Sequence, residues 1–215
     1  MMELKNKKIN FLGDSITEGH GASCVEAYYS SVLKELCGLS EIRNYGIGGT
    51  RIAVQHTPSE NPRHDLDFCG RYAQMDDDAD IILVFGGTND YGHGDAPFGH
   101  FEDRTPDTFY GALHTLYRGL IEKYPTKTIV ILTPIHREGD QNPNALHGKT
   151  LKDYVEAIRL TAEFYSLPVL DLFAMAGICP NIPVHKQAFC PDGLHPNDAG
   201  NRILAEKIKA FLEAM

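Results

Sequence analysis

Short apolar runs alternate with longer, helix-like stretches along almost the whole chain. The segments "KINFLGD", "EIRNYGIGG", "ADIILVFGGTND", "KTIVILTP" and "LPVLDLF" have the length and composition of buried strands. Between and after them, helices are predicted over residues 27–38, 105–125, 151–166 and 196–215. Strands separated by helices indicate βαβ units, which build a parallel sheet with helices on both faces. In such a fold a ligand binds beyond the carboxyl ends of the strands.

The connecting segments are consistent with one domain over residues 1–215. The chain has neither an internal repeat nor a low-complexity linker, and its length is ordinary for a single domain. Gly38 is a typical C-terminal signal for the first predicted helix, whereas Thr105 and Pro106 predict the start of the second. Residues 50–79 and 91–104 form unusually long loops, and loops of that length are often functional.

Polar residues follow the predicted strands at several separate places. Their positions are Asp14 and Ser15 after the first strand, Gly46, Gly48 and Gly49 after the second, Asn89 and Asp90 after the third, and Asp192 and His195 just before the last helix. Because the carboxyl ends of parallel strands meet at one edge of the sheet, we expect these groups to converge.

These residue types fit acyl transfer through a serine nucleophile. A serine hydroxyl needs a base to take its proton, and histidine is the usual base. Asp192 stands three residues before His195 and can fold back onto its imidazole within one turn. The oxyanion that forms needs donors, for which the backbone N–H of Ser15, the N–H of a glycine in the second turn and the Asn89 amide are candidates.

The order of the four blocks resembles the SGNH (GDSL-type) hydrolase family over nearly the whole chain. The blocks are "GDS", "NYGIGG", "GGTND" and "DGLH". The resemblance implies a three-layer α/β/α, flavodoxin-like fold with about five parallel strands. It also implies Ser15 as nucleophile, His195 as base and Asp192 as its orienting group, with Ser15, Gly49 and Asn89 as oxyanion donors. Alignment with the family pattern favours Gly49 over Gly48 as the donor.

Less specific interpretations compete at several of these positions. Ser15 and Glu18 have the spacing of a capping box, so Ser15 is expected to start a helix as well as to act as the nucleophile. Asp90 is expected to be structural, holding its loop through an Asx-type bond. Cys190 is an alternative but weakly supported nucleophile. His93 and His100 lie near Asp95, Glu102 and Asp103, yet this irregular spacing fits no metal-site pattern, so neither a metal nor a cofactor is expected.

Composition narrows the partners and the compartment. The 29 acidic and 20 basic residues give a net charge of −9, which argues against a nucleic-acid partner. The apolar runs are far shorter than a membrane span, so no membrane association is expected. Five scattered cysteines without a CxxC pair are typical of a reduced, cytoplasmic protein. The oligomeric state stays open, with a homodimer among the alternatives.

The substrate is the least determined property. The loops at the expected active edge are polar, with few bulky aliphatic residues; they contain His56, Arg63, His64, Asp65, Arg71, His93, Asp95, His100, Arg137, Asn142 and Asn144. This polarity favours small hydrophilic esters, especially O-acetyl groups on carbohydrates, with Asp14, Arg51 and His93 as candidate substrate contacts. Arg51 and Arg71 are equally open to a structural ion pair. A thioesterase or lysophospholipase acting on longer acyl chains, and an inactive binding module, are the alternatives.

Overall fold

The computed structural model describes residues 2–215 and places five parallel strands in one sheet. The order across the sheet is β2-β1-β3-β4-β5. The strands are β1 (Lys8–Gly13), β2 (Glu41–Gly46), β3 (Ile81–Phe85), β4 (Thr128–Leu132) and β5 (Val169–Leu170). All five segments that the apolar pattern predicted as strands are therefore strands.

Nine α-helices occur within residues 2–215. They are α1 (Ser15–Glu18), α2 (Tyr29–Cys37), α3 (Phe68–Arg71), α4 (Thr88–His93), α5 (Phe109–Lys123), α6 (Leu151–Phe164), α7 (Leu172–Met175), α8 (Pro183–Phe189) and α9 (Asp198–Ala214). Helices α2 and α9 pack together over one face of the sheet, and α5 and α6 pack over the other. The expected three-layer α/β/α, flavodoxin-like fold is thus confirmed. Across residues 2–215, every helix falls short of the length and apolar character needed to span a bilayer.

The central strand β3 shows why the strand pattern is continuous rather than alternating. All five of its residues are buried. Ile82 and Val84 belong to the core beneath α5 and α6, whereas Ile81, Leu83 and Phe85 belong to the core beneath α2 and α9. Because successive side chains point to opposite faces and helices cover both faces, every position must be apolar.

At two elements the structure shows why the boundary differs from the sequence-based prediction. Helix α5 begins at Phe109 rather than near Pro106, because the Thr108 hydroxyl accepts a hydrogen bond from the Gly111 N–H at 3.1 Å and caps the helix there. The Pro106 carbonyl instead accepts from the Val54 N–H at 2.9 Å, which ties the preceding turn to another loop. The last strand is also shorter than its apolar segment, since Leu172 already lies in α7.

Arg71 joins the segment 50–79 to the carboxyl ends of two strands. Its guanidinium donates to the carbonyls of Gly13, Tyr45 and Leu66 and to the Thr50 hydroxyl. Only 8% of its surface is exposed. Arg71 therefore has a structural role. It holds the segment 50–79, which was predicted to be a long loop, against the sheet edge where the polar residues meet.

Candidate active site

The first strand delivers Ser15 to the sheet edge through a single capping residue. Asp14 is the N-cap of α1, and its carboxylate accepts from the Ile16 N–H at 3.0 Å. Ser15 is the first residue of the helix, so the expectation that it starts a helix is met, but the capping-box interpretation is wrong. The Asp14 carboxylate already occupies the capping position one residue earlier, and Glu18 points away to the Gly48 N–H. The Ser15 hydroxyl is consequently free for another partner.

That partner is the imidazole of His195. Ser15 Oγ lies 2.9 Å from His195 Nε2, and His195 Nδ1 lies 2.6 Å from Asp192 Oδ2. The other carboxylate oxygen of Asp192 accepts from the backbone N–H groups of Leu194, at 2.9 Å, and His195, at 2.7 Å. We refer to residues 192–195 as the base turn. Its hydrogen bonds fix the orientation of both side chains within four consecutive residues.

The base turn is open to solvent on its outer side. The Asp192 side chain is 53% exposed, compared with 19% for the His195 side chain. Partial burial alone would raise the pKa of Asp192, but the hydrogen bonds from His195 and Leu194 outweigh it and hold that pKa below its usual value. Asp192 is therefore ionised at neutral pH, as a group that stabilises an imidazolium must be.

Three candidate donors, Ser15, Gly49 and Asn89, form what we call the buried wall. All three line the same cleft as His195. The Gly48 N–H is occupied by the Glu18 carboxylate at 2.6 Å, which leaves Gly49 as the glycine of this pair free to donate. One hydrogen of the Asn89 amide is bonded to the Thr50 carbonyl at 2.9 Å, and the amide has a second hydrogen to offer.

Gly49 is required by its backbone conformation. Its φ is 76°, in the left-handed region that side-chain-bearing residues avoid. A Cβ atom at this position would also lie 2.4 Å from Cδ2 of the His64 ring. A larger residue would fit there only if the His64 ring moved.

Behind the buried wall lie Asp14 and Asp90, two carboxyl groups whose pKa values are raised. Asp90 accepts from the N–H groups of Ile52 and Ala53, each at 3.0 Å. Asp90 is thus structural, but the expected Asx-type bond is wrong, since its partners are distant in sequence. Burial raises the pKa of Asp90 to about 6 and that of Asp14 to about 7, and repulsion between the two carboxylates adds to the shift at Asp14.

The three expected substrate contacts occupy different depths. Asp14 and Arg51 are only 2% and 3% exposed and do not line the cleft. Arg51 binds the Asp65 carboxylate and donates to His93 Nδ1, each at 2.9 Å. His93 does line the cleft. Of the three, the structure therefore brings only His93 to the surface that a substrate would meet.

Arg51 also fixes the tautomer of His93. A guanidinium has no acceptor atom, so Nδ1 of His93 accepts and its Nε2 carries the hydrogen. Desolvation, together with the positive charge of Arg51, lowers the pKa of His93 to about 4. His93 is therefore a neutral hydrogen-bond donor at physiological pH.

The cleft has a volume of about 380 Å³, and most of the residues that line it have polar side chains. Besides the residues named above, it contains His20, Asn61, His64, Arg63, Arg137 and Leu194. Leu194 is its one aliphatic side chain among the described residues. A second cavity of about 420 Å³ lies beside β2, but its lining in residues 2–215 includes no serine, cysteine or histidine. The hydrogen-bonded pair Ser15 and His195 lies in the smaller cleft.

The other candidate nucleophile and the loop acids have different surroundings. Cys190 is fully buried, and burial raises the pKa of its thiol to about 12, so it is a protonated core residue. Asp95 accepts from the N–H groups of His56 and Thr57, while Asp103 accepts from His100 N–H and the Thr108 hydroxyl. Within the described chain, no three acidic, histidine or cysteine side chains are grouped as a metal site would require.

Two contributions to the site had little signal in the sequence. His20 lines the cleft, and its ring centroid lies 5.4 Å from that of His195. Glu18 selects which glycine N–H stays free, although its spacing from Ser15 suggested a cap instead. The one sequence signal for both residues was that they lie within five positions of Ser15.

Comparison with known proteins agrees with the geometry. The profile of the GDSL-like lipase/acylhydrolase family matches residues 11–203. A crystal structure of a protein from Lactobacillus plantarum is 35% identical, with 98% of each chain covered and a TM-score of 0.84. No curated protein gives a significant match.

More distant structures share the fold. They include a lipase/acylhydrolase from Enterococcus faecalis, at 20% identity, TM-score 0.65 and coverage of 97% of this chain and 96% of that one. The acetyl xylan esterase AlAXEase is similar at 23% identity and TM-score 0.64, with 95% of this chain and 99% of that chain covered. With the family profile spanning most of its length, the chain belongs to the GDSL-like lipase/acylhydrolase family of ester-cleaving hydrolases.

Proposed function

We propose that this hydrolase cleaves carboxylic esters of small acyl groups, with O-acetyl esters of carbohydrates as its substrate class. The observation that carries the proposal is the lining of the cleft, in which polar side chains surround Ser15 and Leu194 is the one aliphatic residue among those described. A long acyl chain needs an apolar channel, because burying its methylene groups is what stabilises its binding. A short acyl group on a hydroxylated alcohol needs hydrogen-bond partners, which this cleft provides.

The proposed reaction begins at Ser15. His195 Nε2, at 2.9 Å, takes the hydroxyl proton as Oγ attacks the ester carbonyl carbon. Asp192 stabilises the imidazolium that results and keeps its Nδ1–H directed at the carboxylate. The carbonyl oxygen becomes an oxyanion, which the N–H groups of Ser15 and Gly49 and the Asn89 amide stabilise.

Collapse of the tetrahedral intermediate releases the alcohol and leaves an acyl group on Ser15. The imidazolium of His195 gives its proton to the departing alkoxide, so the alcohol leaves neutral. A water molecule then attacks the acyl-enzyme, with His195 again taking the proton. The bond from the acyl carbon to Ser15 Oγ breaks, the imidazolium returns its proton to Oγ, and the acid is released. We infer that His93, which lines the cleft and carries its hydrogen on Nε2, donates a hydrogen bond to the alcohol part of the substrate.

We also infer a reducing compartment, which is compatible with a cytoplasmic location. All five cysteines are free thiols, and Cys24 is exposed. Exposed thiols persist where thiol-reducing systems operate.

The test is hydrolysis of p-nitrophenyl esters from acetyl to dodecanoyl by the wild type and by Ser15→Ala. We expect activity to be confined to the shortest acyl chains, with kcat falling by roughly 10⁴- to 10⁶-fold in the variant. Because Asp14 rather than Ser15 caps α1, the melting temperature of the variant should stay near that of the wild type. A preference for long chains would contradict the small-acyl proposal, and turnover that survives in Ser15→Ala would contradict the mechanism.

A further inference from the structure

Four arginines lie near the carboxyl edge of the sheet, and three of them already have partners. Arg51 binds the Asp65 carboxylate and Arg63 binds the Glu18 carboxylate. Arg71 is buried and donates to three backbone carbonyls and a hydroxyl. The contacts of these three arginines hold the loop segment 50–79 in place.

Arg137 is the exception. Its Nη1 donates to the Thr88 carbonyl at 3.1 Å and approaches the Thr88 hydroxyl at 3.4 Å. In the part of the chain that the structure describes, no carboxylate pairs with this guanidinium, and Nε and Nη2 have no protein acceptor. Neither of these two nitrogens is buried, and the side chain lines the same cleft as Ser15 and His195. One edge of the guanidinium is therefore free of protein acceptors, in a residue that lines the cleft of Ser15 and His195.

The position of this free edge is fixed by its surroundings. Arg137 Cζ lies 5.6 Å from the ring centroid of Tyr91, in a cation–π contact. The Tyr91 hydroxyl is anchored in turn, 2.9 Å from the Gly139 carbonyl. On the other side the guanidinium packs against the backbone of Gly92, where a Cβ atom would lie 2.7 Å from Nη1. A side chain held in this way loses little conformational entropy on binding a ligand.

The free edge, Nε and Nη2, is the geometry that recognises a carboxylate. Its two N–H bonds are parallel and spaced to donate to the two oxygens of one carboxylate. An unpaired guanidinium in a half-buried site has lost part of its hydration, and a bound anion offsets that loss. The carboxylates of Asp14, Asp140 and Asp192 act on Arg137 through space, but none accepts a hydrogen bond from Nε or Nη2, so a neutral ester would leave this edge without a charged acceptor.

We propose that Arg137 binds a carboxylate on the alcohol part of the substrate, so that the natural esters are O-acetyl derivatives of small acidic sugars or related hydroxy acids. The inference rests on the proposed function, because a small acyl group leaves only the alcohol to carry the acid. The chain's net charge of −9 disfavours the approach of an acidic polymer, so a short acidic substrate fits best. His93 is neutral at physiological pH, which leaves Arg137 as the recognising charge.

Two esters that differ only in the acid group test the proposal. They are 3-acetoxybenzoate and its methyl ester, which share the acetyl group and the aryl oxygen that leaves. The readout is the ratio of their kcat/KM values, normalised by their rates of hydrolysis in alkaline buffer. We expect the wild type to prefer the anionic ester by about 10- to 100-fold, and Arg137→Met to lower the ratio by a similar factor.

Two further variants control the experiment. Arg118→Met removes the same charge from the exposed face of α5, where Arg118 pairs with Glu122, and should leave the ratio within about twofold of the wild-type value. Gly92→Ala keeps the guanidinium but crowds Nη1, so it should lower the ratio in the same direction by a smaller factor. If Arg137→Met does not fold, Gly92→Ala still tests the position of the charge.

Inhibition gives a readout that does not depend on cleavage of either ester. With p-nitrophenyl acetate as substrate, 3-hydroxybenzoate should inhibit the wild type at concentrations at least about tenfold lower than its methyl ester does, and Arg137→Met should abolish that difference.

The outcomes separate this inference from the proposed function. A ratio that Arg137→Met leaves unchanged, while hydrolysis still depends on Ser15, would overturn the carboxylate site and keep the esterase. A preference for a carboxylate on the acyl side, measured with p-nitrophenyl hemisuccinate against p-nitrophenyl butyrate, would overturn its placement on the alcohol. Absence of Ser15-dependent hydrolysis of all these esters would overturn both.

Discussion

The two sides of the cleft differ in how their residues are brought together and in how far they are buried. The base turn is local and partly exposed: Asp192 and His195 are joined by side-chain and backbone hydrogen bonds within four residues. The buried wall is assembled from distant segments, with Ser15 and Asn89 each only 5% exposed. It is supported from behind by Asp14 and Asp90, two carboxyl groups whose pKa values burial raises.

In the proposed mechanism the base turn carries out proton transfer and the buried wall stabilises the oxyanion. A base must exchange protons with the alcohol and with water, so solvent near the base turn is compatible with its task. Donors for an oxyanion act most strongly where water is excluded and where they need no rearrangement during the reaction. We therefore expect substitutions in the base turn to change the reaction with little effect on stability, and substitutions in or behind the buried wall to change both.

The largest effect should come from the base turn. His195→Ala removes the base, so kcat should fall by roughly 10⁴- to 10⁶-fold. Asp192→Asn should cost less, about 10²- to 10⁴-fold, because water can partly solvate the imidazolium beside a half-exposed residue. Steady-state kinetics and urea unfolding on the same preparations check both expectations. His100→Ala, in an exposed loop, is the matched control; a similar loss of activity in it would show that the assay reports folding rather than catalysis.

On the buried wall, Asn89→Ala should lower kcat by about 10²- to 10³-fold. It also removes the hydrogen bond to the Thr50 carbonyl, so the free energy of unfolding should fall by about 1–3 kcal/mol. Kinetics combined with urea unfolding measures both quantities. A large loss of stability with less than about threefold loss of kcat would assign Asn89 to structure and break the comparison.

A pair of glycine substitutions sharpens the assignment of the donor. Gly49→Ala should destabilise the protein by about 1–2 kcal/mol through its positive φ, and should reduce kcat about tenfold or more as the wall shifts. Gly48→Ala should be milder, because its added Cβ would meet the flexible end of Glu18 at 2.8 Å. Thermal unfolding and kcat measured for the two variants show which glycine is the donor. The reverse order of effects would favour Gly48.

The last expected effect concerns stability alone and is a pH dependence from Asp14. Its native pKa of about 7 is above the unfolded value of about 3.9, so the native state binds more protons between these limits. Stability therefore decreases as pH rises from about 4 to 7. Asp14→Asn keeps the capping oxygen and removes the charge, so its stability relative to wild type should improve by about 1–3 kcal/mol from pH 5 to pH 8. Urea unfolding at both pH values tests this, and a constant difference would show that Asp14 stays ionised.

The same contrast explains how much of the site the sequence could predict. The base turn was predictable because Asp192 and His195 interact within one turn, so their spacing carries the geometry. The five strands were predictable from apolar runs, since both faces of the sheet are covered. The role of Asp90 was predicted only in part, because its partners Ile52 and Ala53 are distant in sequence. The free edge of Arg137 depends on where every carboxylate of the fold lies, which no local pattern contains.

The contact between Glu18 and Gly48 has a consequence for how such sites diverge. Adjacent peptide groups are about 3.8 Å apart along the chain, whereas catalytic donors must be placed to within about 0.5 Å. By occupying the Gly48 N–H, Glu18 leaves the neighbouring Gly49 N–H as the one available to the proposed reaction. A mutation at position 18 would therefore change which of these two backbone N–H groups is free, without replacing any of the proposed catalytic residues. Loss of the carboxylate at position 18 is therefore expected to lower activity in this chain while every motif residue remains in place.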